Sequence, residues 1–103
     1  MSYIAECVAN GVQFLDEKIP DWRDRINLET LDMSSPYNCV CAQVAGSFLD
    51  FCDTFDLEYE KQIHLGFEIG EVARRMGMYD MLTDCWKKEI VGQKKEIYWS
   101  DLG

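Results

Sequence analysis

Apolar side chains along this chain recur at helical rather than strand spacing, and four segments carry the pattern. From Ser2 to about Asp16, the residues Ile4, Cys7, Val8, Val12 and Leu15 fall three or four apart and line up as one stripe of a helix. Ser2 is a capping residue type at its start, with Ala5 rather than a reciprocating Glu at the third helical position. Gly11 weakens an isolated helix by about 1 kcal/mol relative to Ala. Pro20 closes the segment, because a proline disfavours helix at the residue before it. The second segment runs from Asn38, a good N-cap, to Phe55. Its buried stripe is Val40, Val44, Phe48, Phe51 and Phe55, flanked by Cys41, Ala45 and Cys52, and Gly46 leaves room for a neighbouring helix to approach. A short third helix fits Glu58 to Leu65, stopped by Gly66 at C′. Phe67-Glu68-Ile69 then reads as a brief extended piece. The fourth helix starts between Glu71 and Tyr79 and runs to about Lys94, with Met78, Met81, Leu82, Cys85, Trp86 and Ile90 as its stripe. Lys87, Lys88, Lys94 and Lys95 lie near its C-terminus, where positive charge suits the helix dipole.

Residues Asp21 to Asn38 keep no clean period. Ser34-Ser35-Pro36 is a turn signal, and the eighteen-residue stretch reads as an ordered connection with a short helix around Trp22, pinned to the core by Trp22 and Leu31. Long ordered loops are often functional. The predicted fold is all-α: a small bundle of three main helices plus a short one, with a long ordered loop after the first helix. Residues 1–103 form a single domain, with 97–103 as a tail that Tyr98 and Trp99 dock.

Composition narrows the function. Apolar residues make up 48% of the 103, enough to build a core. Nineteen Asp and Glu against ten Lys and Arg leave a net charge of -9, which excludes a basic nucleic-acid-binding domain. The charge is also unevenly placed. From Ile26 through Glu60 there is no Lys or Arg, yet there are seven carboxylates: Glu29, Asp32, Asp50, Asp53, Asp56, Glu58 and Glu60. Asp50 and Asp53 share a helix face, since residues three apart are neighbours. Such a patch serves solubility, or it steers association with a basic partner protein. Together with Trp99, these seven residues are the candidate partner-binding set.

Other chemistry is thin. The N-terminal residues lack a positive n-region, and Glu6 interrupts the apolar run, which does not fit a signal peptide; no run reaches the ~18 apolar residues of a membrane span. The odd count of five cysteines suits reduced thiols in a cytosol. Cys39-Val40-Cys41 is too tight for a zinc hairpin, and His64 is the only histidine, so no metal is expected. The carboxylate spacing lacks the Gly-centred loop of a calcium-binding EF-hand. No phosphate-binding glycine loop is present, and no cofactor is expected. Trp22, Tyr37, Tyr59, Tyr98 and Trp99 fall in loops or ends, where aromatics often carry binding energy.

Several short motifs bear a likeness. Leu15-Asp16-Glu17-Lys18-Ile19-Pro20-Asp21-Trp22, Ile26-Asn27-Leu28-Glu29-Thr30-Leu31-Asp32-Met33, Cys39-Val40, Gln43, Gly46, Leu65-Gly66-Phe67 and Tyr79-Asp80-Met81-Leu82-Thr83 together resemble a family of small bacteriophage proteins. That family is widespread in phages of Gram-positive hosts, especially actinobacteria, and some members are labelled a predicted RNA polymerase component. The chain departs from the pattern at Cys41 and Ala42. The resemblance implies a phage or prophage origin and action in the host bacterial cytoplasm. The expected function is then a non-enzymatic accessory protein. It would bind and modulate or inhibit a host protein with a basic surface, such as RNA polymerase or an antiviral defence complex, with no direct contact to nucleic acid or membrane. The alternatives are a phage structural or assembly accessory and a small cysteine- or carboxylate-dependent enzyme.

Overall fold

A computed structural model describes the backbone of residues 3–102 and the side chains of residues 3–92. Its elements are α1 (Tyr3–Lys18), a 3-10 turn (Trp22–Arg25), α2 (Val40–Ala45), α3 (Phe48–Phe55), α4 (Tyr59–His64), α5 (Glu71–Arg75) and α6 (Tyr79–Leu102). No strand occurs among the described residues, and the class is all-α with α1, α3 and α6 as the three main helices. Among the described residues, no helix is long and apolar enough to cross a membrane.

The three- and four-residue steps turn Cys7, Val8 and Leu15 of α1 inward and bring Leu82, Trp86 and Ile90 of α6 to the same core. The two helices pass close enough for Trp86 to lie against Gly11. Trp86 is fully buried and donates its indole N–H to the Gly66 carbonyl at 2.7 Å. Around it, Phe67 stacks at 5.8 Å and Trp22 meets it edge-on at 5.8 Å. Phe14, Phe51, Phe55 and Phe67 extend this aromatic core through contacts of 5.0–6.3 Å, a geometry worth about 0.5–1.5 kcal/mol per pair beyond area burial.

The 21–38 connection is ordered because its polar groups have partners. Trp22 Nε1 donates to Asp16 Oδ1 at 2.9 Å, and Arg23 pairs with the same carboxylate at 2.6 Å. Gln43 spans the loop: its Oε1 accepts from Asn27 N at 2.5 Å, and its Nε2 donates to the carbonyl of Asn38 at 2.9 Å. Trp22, Ile26, Leu31 and Met33 are buried, so the expected pinning of this loop holds. Its far side is tied down by Thr83, whose Oγ1 accepts the buried N–H of Met33 at 2.9 Å. Thr83→Val strands that N–H. Urea unfolding should show a loss of about 1–3 kcal/mol, the usual cost of an orphaned buried donor.

Several expected boundaries are corrected. The helix expected over 38–55 is two helices, because Gly46 adopts φ 101° and Ser47 restarts the chain, its hydroxyl capping Asp50 N at 3.1 Å. Gly46 therefore serves the break and has no helix packed against it. The residue preceding α2 is Cys39, while Asn38 spends its carbonyl on Gln43 and Asp32. Gly66 does end the short helix in a left-handed turn at φ 71°, and the piece expected to be extended over 67–69 is no strand, with bends at 67–68. Gly77, at φ 70°, separates α5 from α6, and Met81 turns outward to 49% exposure instead of joining the stripe. The tail expected over 97–103 is helical through Leu102. The cap expected of Ser2 and the docking expected of the Tyr98 and Trp99 side chains lie outside the described residues and side chains.

Candidate protein-interaction surface

The seven expected carboxylates, Glu29, Asp32, Asp50, Asp53, Asp56, Glu58 and Glu60, are all exposed. Among the described residues the ion pairs are Arg23–Asp16, Arg25–Asp21, Arg74–Glu68 and Arg75–Glu71, and none involves these seven. Outside the set Asp16, Asp21, Glu68 and Glu71 are paired, while Glu6, Glu17, Asp24, Asp80, Asp84 and Glu89 also face water without an ion pair among the described residues. Trp99, the eighth candidate, lies outside the described side chains.

The set divides in two. Glu29 and Asp32 line a polar groove of about 610 Å³ together with Asp80, Asp84 and Lys87 of α6. The Met33–Thr83 hydrogen bond holds the two walls of this groove in place. Ser34 donates its hydroxyl and backbone N–H to Asp32 at 2.6 and 3.0 Å, and these bonds hold the carboxyl below its usual range, with Lys87 adding a smaller pull in the same direction. Asp32 therefore stays charged well below neutral pH. Asp80 and Asp84 were missed because their positions relative to the loop depend on a contact fifty residues long.

The other five sit on α3 and the start of α4 and do not line that groove. They are not equivalent. Asp50 occupies the first turn of α3, where a negative charge suits the helix dipole. Asp56 caps the same helix in a left-handed conformation (φ 55°), which Asp tolerates better than most residues. Asp53 has neither task.

The five cysteines are free thiols, four buried and Cys85 half-buried. The neighbouring Cys41 thiol lowers the Cys39 pKa against the effect of burial, with help from the backbone N–H groups of Ala42, Cys41 and Cys39 itself. Burial pushes Cys41 well up and Cys52 to about 11, which makes them poor nucleophiles. A native-state thiol titration should show Cys85 reacting first, with all five available only in denaturant. Disulfide-linked species in the purified chain would contradict this. Among the described residues no group of three or more His, Cys, Asp or Glu is placed to hold a metal ion. His64 is exposed at the end of α4 and holds Asn10 Nδ2 through its carbonyl at 3.2 Å. Tyr37 and Tyr59 are exposed, and the Tyr59 hydroxyl donates to the Ile69 carbonyl at 3.2 Å.

Comparison with known proteins corrects the family expectation. A family model described as "Drosophila protein of unknown function, DUF287" matches residues 70–103, about a third of the chain, and the bacteriophage family is not supported. No curated protein and no solved structure matches. Of the motifs that carried the resemblance, Tyr79–Thr83 falls within the matched residues. The others mix buried packing positions, including Leu15, Trp22, Ile26, Leu31, Met33, Cys39 and Val40, with as many exposed ones, such as Asp16, Glu17 and Lys18. Apolar residues of that kind answer to the demands of a core rather than to ancestry.

Proposed function

We propose that this chain is a non-enzymatic protein-binding module whose acidic surface meets a basic surface on another protein, in the manner of nucleic-acid phosphates. The observation that carries this reading is the set of seven exposed carboxylates without ion-pair partners among the described residues. An excess of charge of one sign steers encounter and raises association rates by roughly 10–10³-fold. The addition of Asp80 and Asp84 beside Glu29 and Asp32 enlarges the negative field. Burial of four of the five thiols favours a packing role over a nucleophilic one, and free thiols suit a reducing compartment such as the cytosol.

The test is capture of partners from cell lysate by the immobilised chain, with and without excess short duplex DNA. Partners should be basic, should elute as salt rises from 0.1 to 1 M, where the Debye length falls from about 10 to about 3 Å, and should be displaced by the DNA. Partners that bind the chain and DNA together would defeat the mimic reading.

A further inference from the structure

Two thiols stand two positions apart at the start of α2. Side chains at that spacing in a regular helix do not face each other. Cys39 escapes the rule because it precedes the first helical residue, with φ -73° and ψ 169°. Its side chain is hydrogen-bonded to that of Cys41. Val40 between them is helical, which sets the two Cα atoms about 5.4 Å apart, inside the disulfide window of about 4.4–6.8 Å. The backbone of Cys39 is held from both sides, by Ser35 O at 3.2 Å and by Gln43 N at 2.9 Å.

The two thiols have different surroundings. Cys39 lines a cavity of about 80 Å³, and Cys41 does not. Ser34 and Pro36, both exposed, belong to the wall of that cavity. The Glu68 carboxylate and the Tyr79 hydroxyl, bonded to each other, supply it with polar groups. A space of this size admits a few water-sized molecules, hydrogen peroxide among them, and excludes an aromatic thiol reagent. The hydrogen bond with Cys41 and the backbone N–H groups hold the Cys39 thiol below its ordinary range, which favours the nucleophilic thiolate. Burial keeps Cys41 protonated. A thiol of lowered pKa beside a second thiol is the arrangement that oxidises reversibly.

We propose that Cys39 and Cys41 are a peroxide-responsive dithiol, which closes to an intramolecular disulfide when a small hydroperoxide enters the cavity beside Cys39. The Cys39 sulfur attacks one peroxide oxygen and the O–O bond breaks. The departing oxygen takes the Cys39 proton and leaves as water, and Cys39 becomes a sulfenic acid. The Cys41 sulfur then attacks the Cys39 sulfur and the S–O bond breaks. The departing hydroxyl takes the Cys41 proton and leaves as a second water. Two thiols lose two electrons and one hydrogen peroxide gains them. Cys41 is a weak nucleophile, but it is already in contact with the sulfur that it attacks. None of the seven carboxylates lines this cavity, so the proposal stands apart from the acidic-surface reading.

The test treats the reduced full chain with hydrogen peroxide and follows each cysteine by mass spectrometry. The expected product is two hydrogens lighter, carries a Cys39–Cys41 link within one chain, and reverts with dithiothreitol. Cys39 should be consumed at least about tenfold faster than Cys85, the reverse of the order expected for a bulky thiol reagent. Cys41→Ala should leave a sulfenic acid at Cys39 that dimedone captures. Should that variant unfold by circular dichroism, the wild type decides with a bulkier oxidant: cumene hydroperoxide should oxidise Cys39 at least about tenfold more slowly than hydrogen peroxide does. Oxidation of Cys85 ahead of Cys39, a Cys39 that oxidises without closing on Cys41, a folded Cys41→Ala that dimedone does not label, or equal rates with the two hydroperoxides would overturn the proposal.

Discussion

Gly11→Ala is expected to destabilise the fold by about 1–3 kcal/mol, the range for overpacking a dense interior. Helix propensity alone gives the opposite sign, since Ala in a helix interior is favoured over Gly by about 1 kcal/mol. The reversal comes from what surrounds the residue. A Cβ at position 11 would overlap the carbonyl oxygen of Leu65 and lie 2.9 Å from two ring carbons of Trp86. The Leu65 oxygen is backbone and leads directly into Gly66, whose own hydrogen faces Val8: a Cβ there would sit 2.8 Å from the Val8 N and Cα. Gly66 also holds φ at 71°, so neither residue can yield without moving the crossing between α1 and the turn after α4. Chemical denaturation of Gly11→Ala measures the sign directly. A variant more stable than wild type would mean the two segments are farther apart than described.

Trp86→Ala should cost about 3–5 kcal/mol, the usual range for truncating a buried aromatic. For a domain of this size that is a large share of the typical 5–15 kcal/mol of total stability. Trp86 is fully buried, meets Trp22 of the 3-10 turn edge-on, stacks on Phe67 and satisfies the Gly66 carbonyl. Trp86→Phe separates these contributions. It keeps most of the ring packing but orphans the carbonyl, so its cost should fall between wild type and Ala. Equal costs for the two variants would place the whole effect in the hydrogen bond.

The helical stripes were legible because burial follows the 3.6-residue period: Val8, Leu15, Val40, Phe51, Leu82, Trp86 and Ile90 are all where the spacing puts them. The break at Gly46–Ser47 left a readable signal in Ser47 with Asp50 three residues on, an N-terminal pattern that the continuous apolar stripe masked. Phe14 and Phe67 were not assigned to the core. Phe14 is off the α1 stripe and is recruited by Phe51, Phe55 and Phe67, and no local period reports a cluster drawn from three elements. The exposure of the seven carboxylates could be read from their polarity and from the lack of nearby Lys or Arg. Their grouping could not, since only the folded chain sets Glu29 and Asp32 beside Asp80 and Asp84.

The central claim is that the placement of negative charge, and not its amount, makes the chain a binding module. Two variants with the same net charge separate the possibilities. One carries Glu29→Lys, Asp53→Lys and Glu58→Lys, which spare the helix-dipole role of Asp50 and the left-handed cap at Asp56. The other carries Glu17→Lys, Asp24→Lys and Glu89→Lys at exposed positions outside the 26–60 region. The measurement is the association rate of a fluorescent Lys- and Arg-rich peptide with each variant at low salt. The account predicts a rate at least about tenfold lower for the first variant than for the second, with the gap closing as salt screens the charges. Equal slowing of the two variants would contradict it and reduce the acidic surface to a source of solubility.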